Sequence, residues 1–292
     1  MFSKVLIGVD GVQGGRDAAA LAAQLAQEDA MTWLVHVFGA GLMPGRGSEL
    51  LLSLEFEQSR ALLERERETV APATELISCA DRSVGHALHV LAERRDADLI
   101  VIGACRHGFL GRVLLGDDTI SALNGAPCAV AIAPPGYADH VHPFAMLGVG
   151  YDGSPESEQA LAAARGLAPR WGAAIRALSV ISLQSIPYGE PVGQMVRGLA
   201  GIEADVAYGD PSKELVAFSG QVDLMIVGSR GYGPTGRLIH GSTSNQLARR
   251  AFSPLLVVPR SVPSGRHHKW DLPSEVVVSE GGAVADQVST RP

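Results

Sequence analysis

Gly228-Ser229-Arg230-Gly231, followed after nine intervening residues by Gly241-Ser242, is the segment of this chain whose residue types and spacing suit a definite chemistry. Glycine has no Cβ, so Gly228 and Gly231 let backbone N–H groups approach an anion closely. Gly241-Ser242 opens the helix that follows, and the free N–H groups and dipole of a helix N-terminus favour phosphate. The turn and the helix end converge on one polyphosphate. The spacing is not GxxxxGK[ST], so no P-loop lysine is placed. Nor is it GxGxxG, because the segment follows a late strand of its unit rather than the first. Walker-type hydrolysis and dinucleotide binding are therefore not indicated. The alternative for the same glycines is architectural: a tight turn and close helix packing.

The elements that position this segment occur twice. Val5-Leu6-Ile7-Gly8-Val9-Asp10-Gly11 is echoed by Met146-Leu147-Gly148-Val149-Gly150-Tyr151-Asp152-Gly153, each a short apolar strand ending in Asp-Gly. Asp98-Leu99-Ile100-Val101-Ile102-Gly103 is echoed by Asp223-Leu224-Met225-Ile226-Val227-Gly228, and the register continues, with Gly108, Gly111, Arg112 and Gly116 matching Gly233, Gly236, Arg237 and Gly241. A final apolar run follows a proline in each copy, Pro127 to Ile132 and Pro254 to Val258. The repeat predicts domains at 1–135 and 144–260, joined by a turn-rich linker around Pro134-Pro135-Gly136. The polar, aperiodic stretch 261–292 reads as a disordered tail.

Apolar runs alternating with helical patterns indicate parallel sheets covered by helices on both faces. Ala18–Ala26 and Ser157–Leu167 read as helices after each first strand, the latter capped by Ser154 with Pro155 at its first position. Glu49–Val70 reads as a long charged helix, whereas Leu183–Gly201, broken by prolines and glycines, predicts a short helix or none.

Composition narrows the functions further. The 292 residues are 46% hydrophobic and 19% charged, with a formal net charge of -7, as in a soluble globular protein. Such a surface is not built to neutralise nucleic acid or anionic lipid, and no apolar run reaches membrane-spanning length. The three cysteines, Cys79, Cys105 and Cys128, have neither disulfide nor zinc spacing, which points to a reducing cytoplasm.

The pattern Gly-2x-Gly-9x-Gly-Ser, preceded by an apolar strand starting at Asp and followed by a proline-led final strand, resembles the ATP-binding signature of the universal stress protein family. The resemblance covers both copies. It implies two tandem doubly wound five-stranded parallel-sheet domains that mimic a family dimer fused into one chain, final strands meeting across a pseudo-two-fold. It implies that Asp152 and Val180 meet an adenine, that Gly209 lies near the ribose, and that Gly228, Gly231, Gly241 and Ser242 cradle the phosphates of ATP. A divalent metal, Mg, would accompany the triphosphate with Ser242 as its nearest contact. Taken alone, Asp152 also reads as an Asx-type cap of the next turn, and Val180 as a core strand residue.

The first copy departs from the signature. Arg106 stands at the second glycine position, Asp117 at the Ser position with Asp118 beside it, and Asp81 where the second copy has Gly209. Carboxylates at a phosphate-binding helix end repel polyphosphate, so ATP is expected in the second copy alone; Asp117 also makes a good helix N-cap. No set of nucleophile, base and base-orienter surrounds the glycine loop. The expectation is a regulatory ATP-binding protein of the stress response, not an enzyme. The alternatives are a nucleotide-free scaffold and, from the enzyme class, a nucleotidyl transferase for which Gly11-Val12-Gln13-Gly14-Gly15 offers a weak phosphate loop. AMP or a cyclic nucleotide remains open as ligand, and the fused pair either satisfies the dimer contact or pairs again as a homodimer. Cys105 beside Arg106 and His107 reads as a packed thiol before a redox one, and Glu64 to Glu68 as a solvated helix face.

Overall fold

Asp98 and Asp223, the residues that open the two late apolar runs, turn out to be clamps. Asp98 accepts hydrogen bonds from the backbone N–H groups of Ser3 (2.8 Å) and Lys4 (3.0 Å), and Asp223 accepts from those of Ala145 (2.7 Å) and Met146 (2.8 Å). Each carboxylate ties its strand to the start of the first strand of the same domain, which pairs beside it.

The computed structural model describes residues 1–39, 48–70, 75–104, 117–182, 194, 196–229, 242–259 and 275–278. The first domain contains β1 (Phe2–Gly8), α1 (Gln13–Leu25), β2 (Ala26–Phe38), α2 (Ser48–Val70), β3 (Glu75–Ala80), α3 (Val84–Arg95), β4 (Leu99–Gly103), α4 (Asp117–Leu123) and β5 (Ala129–Ala133). The second contains β6 (Met146–Gly150), α5 (Pro155–Leu167), β7 (Ala174–Ile181), β8 (Glu203–Tyr208), α6 (Pro211–Ser219), β9 (Leu224–Gly228), α7 (Ser242–Arg250) and β10 (Leu255–Val258). In both domains five parallel strands run in the order third, second, first, fourth, fifth.

Successive strand residues point to opposite faces, and both faces are covered. Val5, Ile7, Leu99 and Val101 pack with Ala18, Leu21 and Leu25 of α1, while Leu6, Ile100 and Ile102 pack with Leu88 and Leu91 of α3. Both core layers continue through the second domain. The reason is the seam: β5 and β10 pair antiparallel, with Leu255 opposite Ile132 and Leu256 opposite Ala131. The final strands meet as the fused-dimer expectation has it, and the two five-stranded sheets, with one further edge strand at residues 275–278, become one of 11 strands.

Ser154 caps α5 by accepting from the Ser157 N–H at 3.2 Å, with Pro155 in the first turn. Helix α1 begins five residues earlier than its Ala/Leu pattern predicts, at Gln13, because Gly14 and Gly15 continue it despite their low propensity. Its N-cap, Val12, makes no side-chain cap. Glu66, read as part of a solvated face, is buried, while its neighbours Glu64 and Arg67 pair at 2.8 Å. The tail reading needs one correction: residues 275–278 form β11, which pairs antiparallel with the edge strand β3. Three consecutive valines have high strand propensity, and β3 leaves an open ladder for them. Most of 183–201, where a short helix or none is expected, lies outside the described residues.

The linker is held by a buried charge. Asp17 on α1, 1% exposed, accepts from the N–H groups of Gly136 and Ala138, both at 2.8 Å, and from Gln13 Nε2 at 3.2 Å. It thereby caps the 3-10 turn Tyr137–His140, entered through Gly136 at φ 82°. Substituting Asp17→Ala orphans two amides beside the core, and a loss of roughly 3 kcal/mol is expected from the urea midpoint. A loss below about 0.5 kcal/mol, the range of ordinary surface substitutions, would contradict this role.

Candidate functional site

In a doubly wound sheet, ligands bind beyond the carboxyl ends of the strands, where the chain reverses its direction of travel across the sheet. Here that point falls between the first and fourth strands of each domain, β1 and β4, and β6 and β9.

In the second domain, Asp152, Val180, Gly209 and Gly228 are gathered at this end of four adjacent strands, β6, β7, β8 and β9. Asp152 Oδ1 accepts from the Ser154 N–H at 3.1 Å and from Ser154 Oγ at 2.5 Å, which is the Asx-type turn that its sequence context also suggested. Gly209 donates its N–H to the Ile181 carbonyl at 3.1 Å, and Val180 is half-buried against the core layer of Leu215 and Phe218. At Gly228 the backbone is pressed against the first turn of α5, and a Cβ there would lie 2.2 Å from the Glu156 carbonyl oxygen. The architectural reason for this glycine therefore holds whatever it does for a ligand. Gly231 and Gly241 lie outside the described residues. Ser242 is the first residue of α7, whose first turn has no acidic residue. Next to Asp152, Tyr151 donates its hydroxyl to Glu158; burial first, and then that carboxylate, push the phenol up to about 12.

The first domain repeats this geometry. Gly103 meets Gly14 as Gly228 meets Glu156, with a Cβ at Gly103 falling 2.0 Å from the Gly14 carbonyl oxygen. Asp10 makes the matching turn, accepting from the Val12 N–H at 3.1 Å, and Asp81 donates its N–H to Phe38 as Gly209 does to Ile181. Between the strand ends lies a cavity of about 180 Å³, bounded by Asp10, Gly14, His36, Val37, Val84 and Thr119 among others. Composition and motif did not single out His36. Its signal was weak: a single histidine inside the apolar run of β2. Its Nδ1 lies 2.8 Å from Ser59 Oγ, which lies 2.9 Å from Ser78 Oγ, both serines being buried. Burial lowers the His36 pKa, against the opposing pull of Asp10, so the ring is neutral at pH 7.

The sequence profile of the universal stress protein family matches residues 1–134 and 196–259. The chain belongs to the universal stress protein family. A universal stress protein of Mycolicibacterium smegmatis is 28% identical over 283 residues, covering 87% of this chain and 96% of that one. One from Mycobacterium tuberculosis is 31% identical over 186 residues, 57% of this chain and 63% of the relative. Among solved structures, the fold matches a universal stress protein of Archaeoglobus fulgidus with a TM-score of 0.68 at 21% identity, covering 89% of this chain and 99% of that one. A putative universal stress protein of Pseudomonas aeruginosa matches at 0.61 and 15% identity, over 89% and 94%. These two likenesses bear on the fold.

Within this tandem universal stress protein the two copies part where phosphate chemistry would occur. Helix α4 begins Asp117-Asp118 and α7 begins Ser242-Thr243. Asp81, at the Gly209 position, is tied down locally, accepting from the Ser83 N–H at 2.8 Å and lying 2.7 Å from His86 Nδ1. Arg106 and Cys105 lie outside the described residues. Cys79 and Cys128 are buried, and burial pushes both thiols up, Cys79 to about 12, so neither is a reactive thiolate near neutral pH. His142 Nδ1 lies 3.2 Å from the Pro143 carbonyl. Among the described residues no group of three or more His, Cys, Asp or Glu side chains is placed to hold a metal, and no helix is long and apolar enough to cross a membrane.

Proposed function

We propose that this universal stress protein is a regulatory adenine-nucleotide-binding protein of the stress response, that ATP is its ligand, and that the second domain holds it. The observation that carries this reading is the contrast between α7 and α4. Both helices begin at the switch point of their domain, but only α7 presents a first turn without carboxylates, directly after the Gly228 to Gly241 segment. A helix N-terminus with free N–H groups stabilises phosphate, and an acidic side chain at the same place opposes it. Asp152 and Val180 then border the adenine, Gly209 the ribose, and Gly228, Gly231, Gly241 and Ser242 the phosphates. A Mg ion would be carried by the phosphate oxygens, with Ser242 as the chain's own contact, since magnesium keeps most of its waters and needs few protein ligands. Nothing at this end of the described sheet supplies a nucleophile with its base, so the role is occupancy-dependent signalling and not turnover.

Chain purified without added nucleotide and then denatured should release an adenine nucleotide, identified by chromatography against ATP, ADP, AMP and cyclic AMP standards. Release of ATP is expected. A preparation that releases none and also fails to bind added ATP in calorimetry would favour the nucleotide-free scaffold.

A further inference from the structure

We infer that the outer edge of β3 is a strand-addition surface, that residues 275–278 close it within one chain, and that the same segment of a second copy takes it whenever the chain's own strand is out. The composition of the two sheet edges is the first argument. Without β11 the sheet would end at β3 on one side, as it ends at β8 on the other. Both strands open on glutamate, Glu75 and Glu203. Two residues on, β3 has Ile77 where β8 has Asp205, which pairs with Arg176 Nε at 2.6 Å. A charge on an edge strand discourages pairing with another chain, and β8 is guarded in this way. The β3 stretch Leu76-Ile77-Ser78-Cys79 is buried and carries no charge, so it needs a cover instead.

The cover itself is the second argument. β11 lies antiparallel to β3, with Val277 opposite Ile77, Val276 opposite Ser78 and Glu275 opposite Cys79. Facing β-branched residues stabilise a cross-strand pair. The strand is only 4 residues long, and β3 is the one strand beside it. Ordering so few residues costs free energy of the same size as their ladder hydrogen bonds return, so β11 exchanges on and off the edge. While it is off, the N–H and C=O groups on that side of β3 are bare, and they match the Glu275 to Val278 segment of any copy.

Connection is the third. The chain leaves the second domain at Val258, the end of β10, and returns on the edge of the first. In the sheet order β10 and β11 are six spacings apart, about 29 Å at ~4.8 Å each. Residues 259–274 extend to roughly 55 Å at most, which allows the pairing within one chain. A connection of that length also lets two copies trade strands, each covering the other's β3, and the reciprocal exchange closes as a two-fold pair.

The test traps the pairing covalently in the whole chain. Glu275→Cys places a thiol opposite native Cys79, and glutathione disulfide at pH 8.5 takes up the two electrons and two protons released as the cross-strand disulfide forms. Burial holds the Cys79 thiol up at about 12, so trapping is followed over hours. With the connection intact, the bond should form mainly within one chain, with a covalent dimer as a minor product that grows with protein concentration. Removing residues 261–270 from the same variant leaves a connection of at most about 25 Å, too short to reach its own β3. The covalent dimer on a non-reducing gel should then rise at least tenfold, and Cys79→Ser should abolish both products. Should the shortened chain misfold, a peptide of residues 271–282 carrying Glu275→Cys serves instead. It should label Cys79 of the whole chain carrying Val277→Pro at least tenfold faster than Cys79 of wild type, read by mass spectrometry of proteolytic fragments. The proposal is overturned by a folded shortened chain that gives no more covalent dimer than the intact connection, by a dimer that survives Cys79→Ser, or by peptide labelling as slow in Val277→Pro as in wild type.

Discussion

Replacing Gly231 by alanine together with Ser242 by aspartate should weaken ATP binding by at least about a hundredfold in titration calorimetry, a loss of roughly 2.8 kcal/mol. The magnitude follows from charge. Two like charges 4 Å apart interact by about 4 kcal/mol at an effective dielectric of 20, and even after screening a carboxylate at the first position of α7 would oppose the triphosphate by more than the stated loss. Alanine at Gly231 adds a Cβ where backbone must approach the ligand. The substitution places at α7 the residue type that the first domain carries at the corresponding first position of α4, Asp117. Unfolding would not explain the loss, because an acidic residue in a first helical turn is neutral to stabilising. The melting temperature of the ligand-free variant should therefore stay within about 2 °C of wild type. Unchanged ATP affinity would contradict the assignment of these two residues.

Stability should respond strongly to the paired glycines at the ends of the fourth strands. Gly228→Ala drives a Cβ to 2.2 Å from the Glu156 carbonyl oxygen, and Gly103→Ala drives one to 2.0 Å from that of Gly14. In both cases the obstacle is backbone in the first turn of a helix, so the helix itself must move away from the sheet. About 3 kcal/mol is expected for each, the upper end of overpacking effects, measured as a lowered urea midpoint. Gly166 is the control. It lies inside α5 with nothing within 4 Å of its Cβ position, so alanine there should be stabilising by about 0.5 to 1 kcal/mol through helix propensity. Equal responses at Gly228 and Gly166 would show that the close approach is not what requires glycine.

The fold was legible because it is written twice. The registered echoes predicted two domains of one fold, and the family resemblance implied the seam at which the final strands, β5 and β10, meet. Three features were not legible, each for a physical reason. The role of Asp98 and Asp223 depends on which strand lies beside them, and local pattern says nothing of that. Asp17, in an Ala-rich helix, gives no hint that its partners are linker amides more than 100 residues away. His36 looked like any residue of a strand because its distinction is the cavity in front of it and the serines behind it, assembled from α2 and β3.

For the candidate site the balance is different. Asp152, Val180, Gly209 and Gly228 lie at the ends of four adjacent strands, yet Asp152 also caps its own turn and Gly228 is required by packing. A residue with a sound architectural reason can still border a ligand, which is why binding measurements, and not the presence of the motif, decide its role. The same holds for the first domain, where departures from the motif coincide with a well-formed cavity.

The central claim is one triphosphate per chain, in the second domain. A crystal structure of the chain grown with ATP tests it most directly. The account predicts triphosphate density against the N-terminus of α7, between Gly228 and Ser242, and none against Asp117 and Asp118 at α4. Triphosphate bound in the first domain, or none in the second, would contradict it.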